Sequence, residues 1–375
     1  TKMGPVILLL TAHHKMFGQA EEVSREPGEG ESPSPDNMGA SVAGVRQLRA
    51  MAEAPWIDRL LAYAPPASLG LATEAAQRSS YAARLEVLDE AGLQAALRPE
   101  DPVVIVQFGV TLLRAQALRW ACGSPRWPIC GYTYSIATSG VYQSLVLTVA
   151  SGIQPYDSVL CCSTSAQIAM DRLLTPLVDR FEGAGMPRLP VVPLGLDAKS
   201  FEPVSRAEAR KALSLPPEAV VFLYLGRIDP RYKANLQPLL AAFSRLDKAR
   251  DAHLVLAGGR PPGGDEILDR LRFRAVELGL ADRVHWLTDV TAQDRKRLLS
   301  AADAFVSPAD NLQESFGIAV VEAMCAGLPV IASDWNGYRD LVVPEETGLL
   351  VPTRLPEDIS TLSRHASLCS EYDFH

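Results

Sequence analysis

The chain contains no Cys-x-x-Cys pair and no run of histidines and cysteines at metal-ligand spacing. Its six cysteines stand at 122, 130, 161, 162, 325 and 369, and the adjacent Cys161 and Cys162 lie inside an apolar run, DSVLCCS. This usage argues against a zinc-binding or disulfide framework and fits the reduced thiols of a cytoplasmic protein. Basic excess is also missing. Lysine and arginine number 36 against 44 aspartates and glutamates, a formal net charge of −8. That balance argues against non-specific nucleic acid binding and against a strongly anionic membrane partner, while leaving room for a local basic pocket. No apolar run is long enough for a membrane span. The VILLL run near the N-terminus is too short for a signal-peptide core and leads into HHK, so it is expected to be a first buried strand.

A length of 375 residues, with 47% apolar and 21% charged side chains, suits a soluble protein of two domains. Short apolar runs alternate with segments of helical periodicity. In the first half, strands are expected at 5–10, 59–63, 103–107, 129–132, 159–162 and 191–192, and helices at 90–97, 110–120, 141–149 and 167–174. Ser41 is expected to cap a helix whose face carries Val42, Val45 and Leu48. Between Gln19 and Asn37 lie six acidic residues and one arginine among prolines, glycines and serines, a composition that predicts a mobile loop. Proline and glycine are dense around 190–205, where periodicity stops, and this reads as a linker. The alternation then resumes, with strands expected at 220–225, 254–257, 284–287, 304–306, 330–332 and 349–351. A helix is expected at 235–246. Another carries Ile267, Leu271, Ala275 and Leu278 on one face, with Asp265 as its N-cap and Gly279 as its C-cap. Thr291 and Asp294 form a capping-box pattern ahead of Leu298 and Leu299. The expected fold class is therefore α/β, two Rossmann-like doubly wound domains facing a cleft, over 1–198 and 199–375.

The densest chemistry lies in 307–322, SPADNLQESFGIAVVE, between two runs that read as buried parallel strands. A polar loop leads into a helix expected to end at Gly327. Glu314 precedes the helix and Glu322 lies inside it, with seven residues between them. Backbone N–H groups near Phe316, Gly317 and Ile318 mark a helix start, where anions are favoured and a glycine permits close approach. Two carboxylates at such a point are open to acid/base work, to hydroxyl binding, or to being unrelated surface groups. A second constellation follows the strand VVFLYLG. Arg227 stands at its carboxyl end and Lys233 six residues later, in a turn with Pro230. A guanidinium fork and a mobile ammonium at the carboxyl edge of a parallel sheet suit a diphosphate, although a basic turn after a strand is in itself common.

Taken together, YLGRIDPRYK, LVLAGG, the 307–343 stretch and EETGLLVP resemble the retaining glycosyltransferases of GT-B architecture, family 4, over roughly 215–355. The first half is similar more loosely, through its opening strand, DSVLCCSTSAQ and VVPLGLD. The most specific piece is Glu314-x7-Glu322. The resemblance implies a nucleotide-diphospho-sugar as co-substrate and no other cofactor. Arg227, Lys233 and Glu314 would carry the catalytic site. The two cations would hold the phosphates and stabilise the leaving diphosphate, and Glu314 would hold the hydroxyls of the transferred sugar. Backbone groups at Phe316, Gly317 and Ile318 would assist, Glu322 would bind the ribose, and Thr288 and Asp289 would lie near the base. Gly39, opening the first helix, would approach the phosphates. Transfer to a hydroxyl acceptor would proceed by front-face attack with retention. No metal site is expected, and the sequence contains no Asp-x-Asp triplet, the familiar means of hanging a divalent metal on a nucleotide diphosphate.

The sequence departs from that pattern in GYTYSIATSG, where Tyr134, followed by Ser135, stands in place of a histidine that many relatives carry. Tyrosine donates a hydrogen bond but does not titrate near neutrality. Tyr134, Ser135 and His13 are the candidate first-domain, acceptor-side residues. The acidic 19–37 loop is expected to face the acceptor, as a lid or as a tolerated insertion, and its charge favours a neutral or cationic acceptor over a polyanionic one. Neither nucleic acid nor an integral membrane segment is expected. The alternatives are a nucleotide-sugar epimerase or sugar phosphorylase of the same fold, or a catalytically weak nucleotide-sugar-binding module.

Overall fold

A computed structural model describes residues 6–11, 39–137, 139–230, 233–247, 250–259, 264–312 and 314–354. His13 and the 19–37 loop lie outside the described residues. The described chain forms two compact units that meet in sequence between Gly195 and Leu196. No described helix is long and apolar enough to cross a membrane.

The first unit has one parallel sheet. Its strands are β1 (Ile7–Thr11), β2 (Arg59–Tyr63), β3 (Leu85–Leu88), β4 (Val103–Gln107), β5 (Ile129–Tyr132) and β6 (Ser158–Leu160), in the order β3-β2-β1-β4-β5-β6. Its helices are α1 (Gly39–Glu53), α2 (Leu69–Arg78), α3 (Glu90–Ala96), α4 (Leu113–Ala121), α5 (Ser139–Ala150) and α6 (Thr164–Val178). The second unit repeats the plan. Strands β7 (Val220–Leu225), β8 (Ala252–Gly258), β9 (Val284–Thr288), β10 (Ala304–Ser307), β11 (Val330–Asp334) and β12 (Gly348–Pro352) are ordered β12-β11-β10-β7-β8-β9. They alternate with α7 (Arg206–Ala212), α8 (Gln237–Phe243), α9 (Asp265–Glu277), α10 (Ala292–Ala301), α11 (Ile318–Cys325) and α12 (Tyr338–Leu341). Numbered from its own first strand, each sheet runs 3-2-1-4-5-6, the doubly wound order that binds nucleotides.

The second sheet is buried on both faces because β7 is apolar at every position. Val221, Leu223 and Leu225 join Phe305, Val320, Ala323 and Val330 on one face. Tyr224 joins Leu254, Leu256, Leu240, Phe243 and Leu271 on the other. This is why the strands read as continuous apolar runs rather than as alternating ones.

Several local expectations need correction. Helix α1 starts at Gly39, so Ser41 lies inside its first turn rather than capping it. Residues 191–192 make no named strand; Val191 forms only an isolated bridge with Cys161, since the chain leaves the sheet there. Gly264 precedes α9, so Asp265 is its first helical residue and an acid in its first turn. Gly279 and Gly327 follow the C-cap residues Leu278 and Ala326, in left-handed conformations at φ 68° and 77°. The helix expected at 235–246 is shorter at both ends, and Asn235 turns the chain by accepting from the Gln237 amide. Strand β3 and helix α2 were not anticipated, because four-residue LEVL and alanine-rich LGLATEAAQR carry weak periodicity. The Thr291–Asp294 capping box is present in full.

One buried ion pair braces the first unit. Arg119 on α4 donates to Asp157 at 2.7 Å, and both side chains are buried. Asp157 also accepts from the amides of Ile129 and Gln154, at 2.9 Å each, tying the start of β5 to the turn before β6. Removing one partner leaves an uncompensated charge. Asp157→Ala should therefore destabilise the first unit by about 3–5 kcal/mol, read as a lowered midpoint in denaturant unfolding.

In the second unit, His253 Nδ1 and His285 Nε2 lie 2.8 Å apart, and His253 Nε2 is 3.1 Å from the Asp251 carboxylate. Burial first, and His253 second, hold the His285 pKa below its usual 6.5. A depressed histidine favours the neutral form in the fold, so its stabilising contribution is present above the unfolded value and is lost as pH falls through the folded one. Thermal midpoints should drop on acidification from pH 7 to 5, and His285→Phe should flatten that slope. An unchanged slope would refute the assignment.

Candidate functional site

In a doubly wound sheet, ligands bind beyond the carboxyl ends of the strands where the order reverses. In the second unit that point lies between β7 and its parallel neighbour β10. The loop after β7 carries Arg227 and Lys233, and the loop after β10 carries Glu314. The topology thus brings two segments separated by some eighty residues to one place.

Three of the expected residues converge there. Lys233 Nζ is paired with Glu314 Oε2, and both side chains are largely shielded from solvent. The Tyr338 hydroxyl donates to the same Glu314 oxygen at 3.3 Å and lies 2.6 Å from Ser307 Oγ at the end of β10. The Tyr224 hydroxyl, buried on β7, donates to the Arg227 carbonyl at 2.7 Å and so fixes the start of the basic loop. Burial first, and the Glu314 charge second, push both tyrosine pKa values up; the nearby Arg227 charge opposes this at Tyr224. Both phenols therefore remain protonated donors around the carboxylate. The Lys233 amide donates to the Asp229 carbonyl at 3.0 Å, which curls the loop back over β7.

The glutamate loop is anchored from the other side. Trp335 Nε1 donates to the Asn311 carbonyl at 3.0 Å, and the Glu314 amide donates to the same carbonyl at 3.2 Å. Gly317 precedes α11 at φ 109°, where a Cβ would run into the Tyr338 ring. Glycine is required there on both counts. With Gly317 as N-cap, the first turn of α11 presents its amides beside Glu314. Gly258, at the end of β8, is likewise confined, because a Cβ there would collide with the Gly226 backbone.

Glu322 lies four residues into α11 and is 1% exposed. It is paired with Arg295 of α10. Thr288 ends β9, and Asp289 follows at φ 62°, a left-handed turn ahead of α10. In the first unit, Gly39 opens α1, the Tyr134 hydroxyl donates to Gln47 Oε1 of α1 at 2.5 Å, and Ser135 is exposed. Burial pushes the Tyr134 pKa up, so it too is a donor rather than a base. No group of three or more metal-ligating side chains occurs among the described residues.

Arg295, Tyr338, Tyr224 and Trp335 were not identified from sequence. Tyr338 and Trp335 lie in DWNGYRDLV, within the stretch that carries the resemblance, but nothing in their spacing tells which carboxylate they meet. Arg295 is one of three successive basic residues on α10, Arg295, Lys296 and Arg297, and the sequence does not tell which of them pairs with Glu322.

Residues 205–372 match the family described as glycosyl transferases group 1. The D-inositol 3-phosphate glycosyltransferase of Saccharomonospora viridis is 40% identical over 167 residues, 44% of this chain and 38% of that relative. The enzyme of the same name from Geodermatophilus obscurus is 38% identical over 193 residues, 50% of this chain and 42% of the relative. The similarity thus spans less than half of either curated relative. Among solved structures, Anabaena Alr3699/HepE in complex with UDP is 18% identical with a TM-score of 0.63, covering 98% of this chain and 90% of that one. Sucrose-phosphate synthase from Thermosynechococcus elongatus is 21% identical with a TM-score of 0.61, covering 97% and 89%. These two share the fold.

The packing at Gly317 can be tested directly. Gly317→Ala would place a side chain at positive φ and against Tyr338, and should cost about 1–3 kcal/mol of stability, read by thermal unfolding. Wild-type stability would mean that the loop does not need this conformation. The cations, the Glu314 carboxylate and the forced glycine thus lie at the switch point of a doubly wound sheet, in a segment, residues 205–372, that is similar to the glycosyl transferases group 1.

Proposed function

We propose that the protein is a retaining glycosyltransferase that moves a sugar from a nucleotide-diphospho-sugar to a hydroxyl acceptor. The observation that carries this reading is the Lys233–Glu314 pair at the β7/β10 switch point, with Arg227 beside it and Glu322 buried in the following helix. Arg227 and Lys233 would hold the diphosphate, and Lys233 would exchange its Glu314 partner for phosphate oxygens as the donor enters. Glu314, released from Lys233 and still bonded to Tyr338, would accept from the hydroxyls of the transferred sugar. The amides at Phe316, Gly317 and Ile318 would support the same ring. Glu322, positioned by Arg295, would accept from the ribose, with Thr288 and Asp289 near the base and Gly39 of the first unit near the phosphates. Tyr134, Ser135 and His13 would lie on the acceptor side.

In the chemical step the acceptor oxygen would form a bond to the anomeric carbon while the bond from that carbon to the diphosphate oxygen breaks. The electron pair would leave with the diphosphate, which takes the acceptor proton on the same face. Retention follows without a covalent enzyme intermediate. Neither glutamate needs to act as an acid or a base, and Arg227 and Lys233 stabilise the charge that develops on the leaving group. A UDP-sugar donor is supported by the fold shared with Anabaena Alr3699/HepE, a protein described in complex with UDP-glucose. The acceptor of the curated relatives is not carried over, because the similarity covers only 38% and 42% of them. The acidic 19–37 segment favours a neutral or cationic acceptor.

A thermal-shift screen of UDP-, GDP- and ADP-sugars against the full chain should give at least one stabilising donor. Each charge-assisted hydrogen bond contributes roughly 1.5–3 kcal/mol, so Arg227→Ala and Glu322→Ala should each weaken that donor about tenfold or more. Variants that bind the donor as tightly as the parent would refute the site. Proton NMR of the product would test retention through its anomeric coupling.

A further inference from the structure

Glu314 has two partners of unlike kind. Lys233 is an ammonium on a long flexible stem, and its side chain keeps 19% of its exposure. Tyr338 is fixed. It opens α12 and is 1% exposed. Its ring fills the space beside Gly317, where a Cβ would collide with two of the ring carbons. Its hydroxyl lies 2.6 Å from Ser307 Oγ and 3.3 Å from Glu314 Oε2.

A phenol has one proton to give. With that proton directed at Glu314, the Tyr338 oxygen is the acceptor in the shorter contact, so the hydrogen bonds run in one direction, from Ser307 to Tyr338 and from Tyr338 to Glu314. Burial holds the phenol pKa well above its usual value, which keeps the proton on the oxygen. In such a chain the first bond polarises the second. The second bond is nevertheless long, beyond the roughly 3.0 Å limit of ordinary O–H···O bonds. In this state Lys233, not Tyr338, carries most of the compensation for the carboxylate charge.

A donor diphosphate competes for Lys233. Once the ammonium turns to phosphate oxygens, Glu314 is a largely shielded carboxylate that has lost its ion-pair partner, which is strongly unfavourable unless another donor takes over. We infer that the Ser307–Tyr338 relay is that donor: it takes Glu314 over when Lys233 leaves and fixes the carboxylate where it meets the transferred sugar. The ring is packed against Gly317 and cannot advance, so the carboxylate closes the gap to Tyr338. Tyr338 is thus a positioning residue that acts on the sugar end of the donor and not on the nucleotide end. The takeover also imposes an order, because the diphosphate has to draw Lys233 away before the sugar hydroxyls meet Glu314. The sugar-end role rests on the transferase reading above; the takeover is a property of the cluster itself.

The takeover is tested without ligand by a double-mutant cycle on thermal midpoints of the full chain. Tyr338→Phe keeps the ring and removes only the hydroxyl. It should lower the midpoint more in a Lys233→Met background than in the parent, because Glu314 then depends on the phenol. Ser307→Ala should show the same inequality with a smaller amplitude. Equal drops in the two backgrounds would overturn the takeover. The sugar-end role is tested by calorimetry with three matched pairs: UDP and UDP-glucose, GDP and GDP-mannose, ADP and ADP-glucose. For the pair that binds, Tyr338→Phe should weaken the nucleotide-sugar about tenfold, as expected for one charge-assisted hydrogen bond, and leave the nucleoside diphosphate unchanged. Arg227→Ala should weaken both members of the pair. If it does, and Tyr338→Phe weakens both members or neither, the relay fails while the donor site stands. If Arg227→Ala weakens neither, or no pair binds, the sugar-end role falls together with the donor reading, and the midpoints still decide the takeover.

Discussion

The reversal of strand order between β7 and β10 is the constraint on which the candidate site depends. Helices connected to these adjacent strands pack on opposite faces of the sheet, so the loops that leave the strands diverge and expose a crevice. One loop supplies cations and the other a carboxylate. Without β10 beside β7, the loops that carry Lys233 and Glu314 would not meet. The pairing also explains how a lysine and a glutamate persist largely shielded beneath those loops: each neutralises the other, and Tyr338 and Ser307 satisfy further hydrogen-bonding capacity on the carboxylate side.

The surrounding packing keeps that pair in register. Tyr224 and Tyr338 rise from buried positions and direct their hydroxyls at the Arg227 carbonyl and at Glu314. Because burial holds both phenols protonated, they act as fixed donors rather than as titrating groups. Gly317, Gly258 and Gly337 remove side chains where backbone or ring comes too close, which lets the loops sit directly on the sheet ends. Glu322 is held differently. It is buried on an apolar helix, and its pairing with Arg295 reaches across from α10. The cluster therefore draws on four strand–loop–helix units, those of β7, β9, β10 and β11, and Tyr338 and Arg295 each position a carboxylate.

The first unit contributes a different balance. Its sheet has the same order, yet Tyr134 stands after β5 tied to Gln47 of α1, with its hydroxyl kept protonated by burial. It can donate to a ligand or hold α1 in place, but it has no titration near neutrality. The Arg119–Asp157 pair makes the turn before β6 rigid. The same helix carries Trp120 outward, so a single element combines a buried structural arginine and an exposed aromatic on adjacent residues.

Much of this was legible in the sequence. The runs at 59–63, 103–107, 129–132 and 220–225 are strands with the expected ends, because strands buried on both faces are written as continuous apolar runs and are bounded by polar or glycine-containing segments. Lys233 and Glu314 stood out in the sequence as charges in loops that follow buried strands, and the structure brings those two together. Weakly periodic β3 and α2 were not legible, since their identity comes from the neighbours that cover them. Nor was the pairing of Lys233 with Glu314, or the arginine that turns toward Glu322. The sequence alone determined which segments are apolar enough to be buried and which residue types those segments leave at their ends, because burial and periodicity are local properties. Only the tertiary structure decided which ends meet, because strand order is a property of the whole sheet and a side chain's partner depends on it.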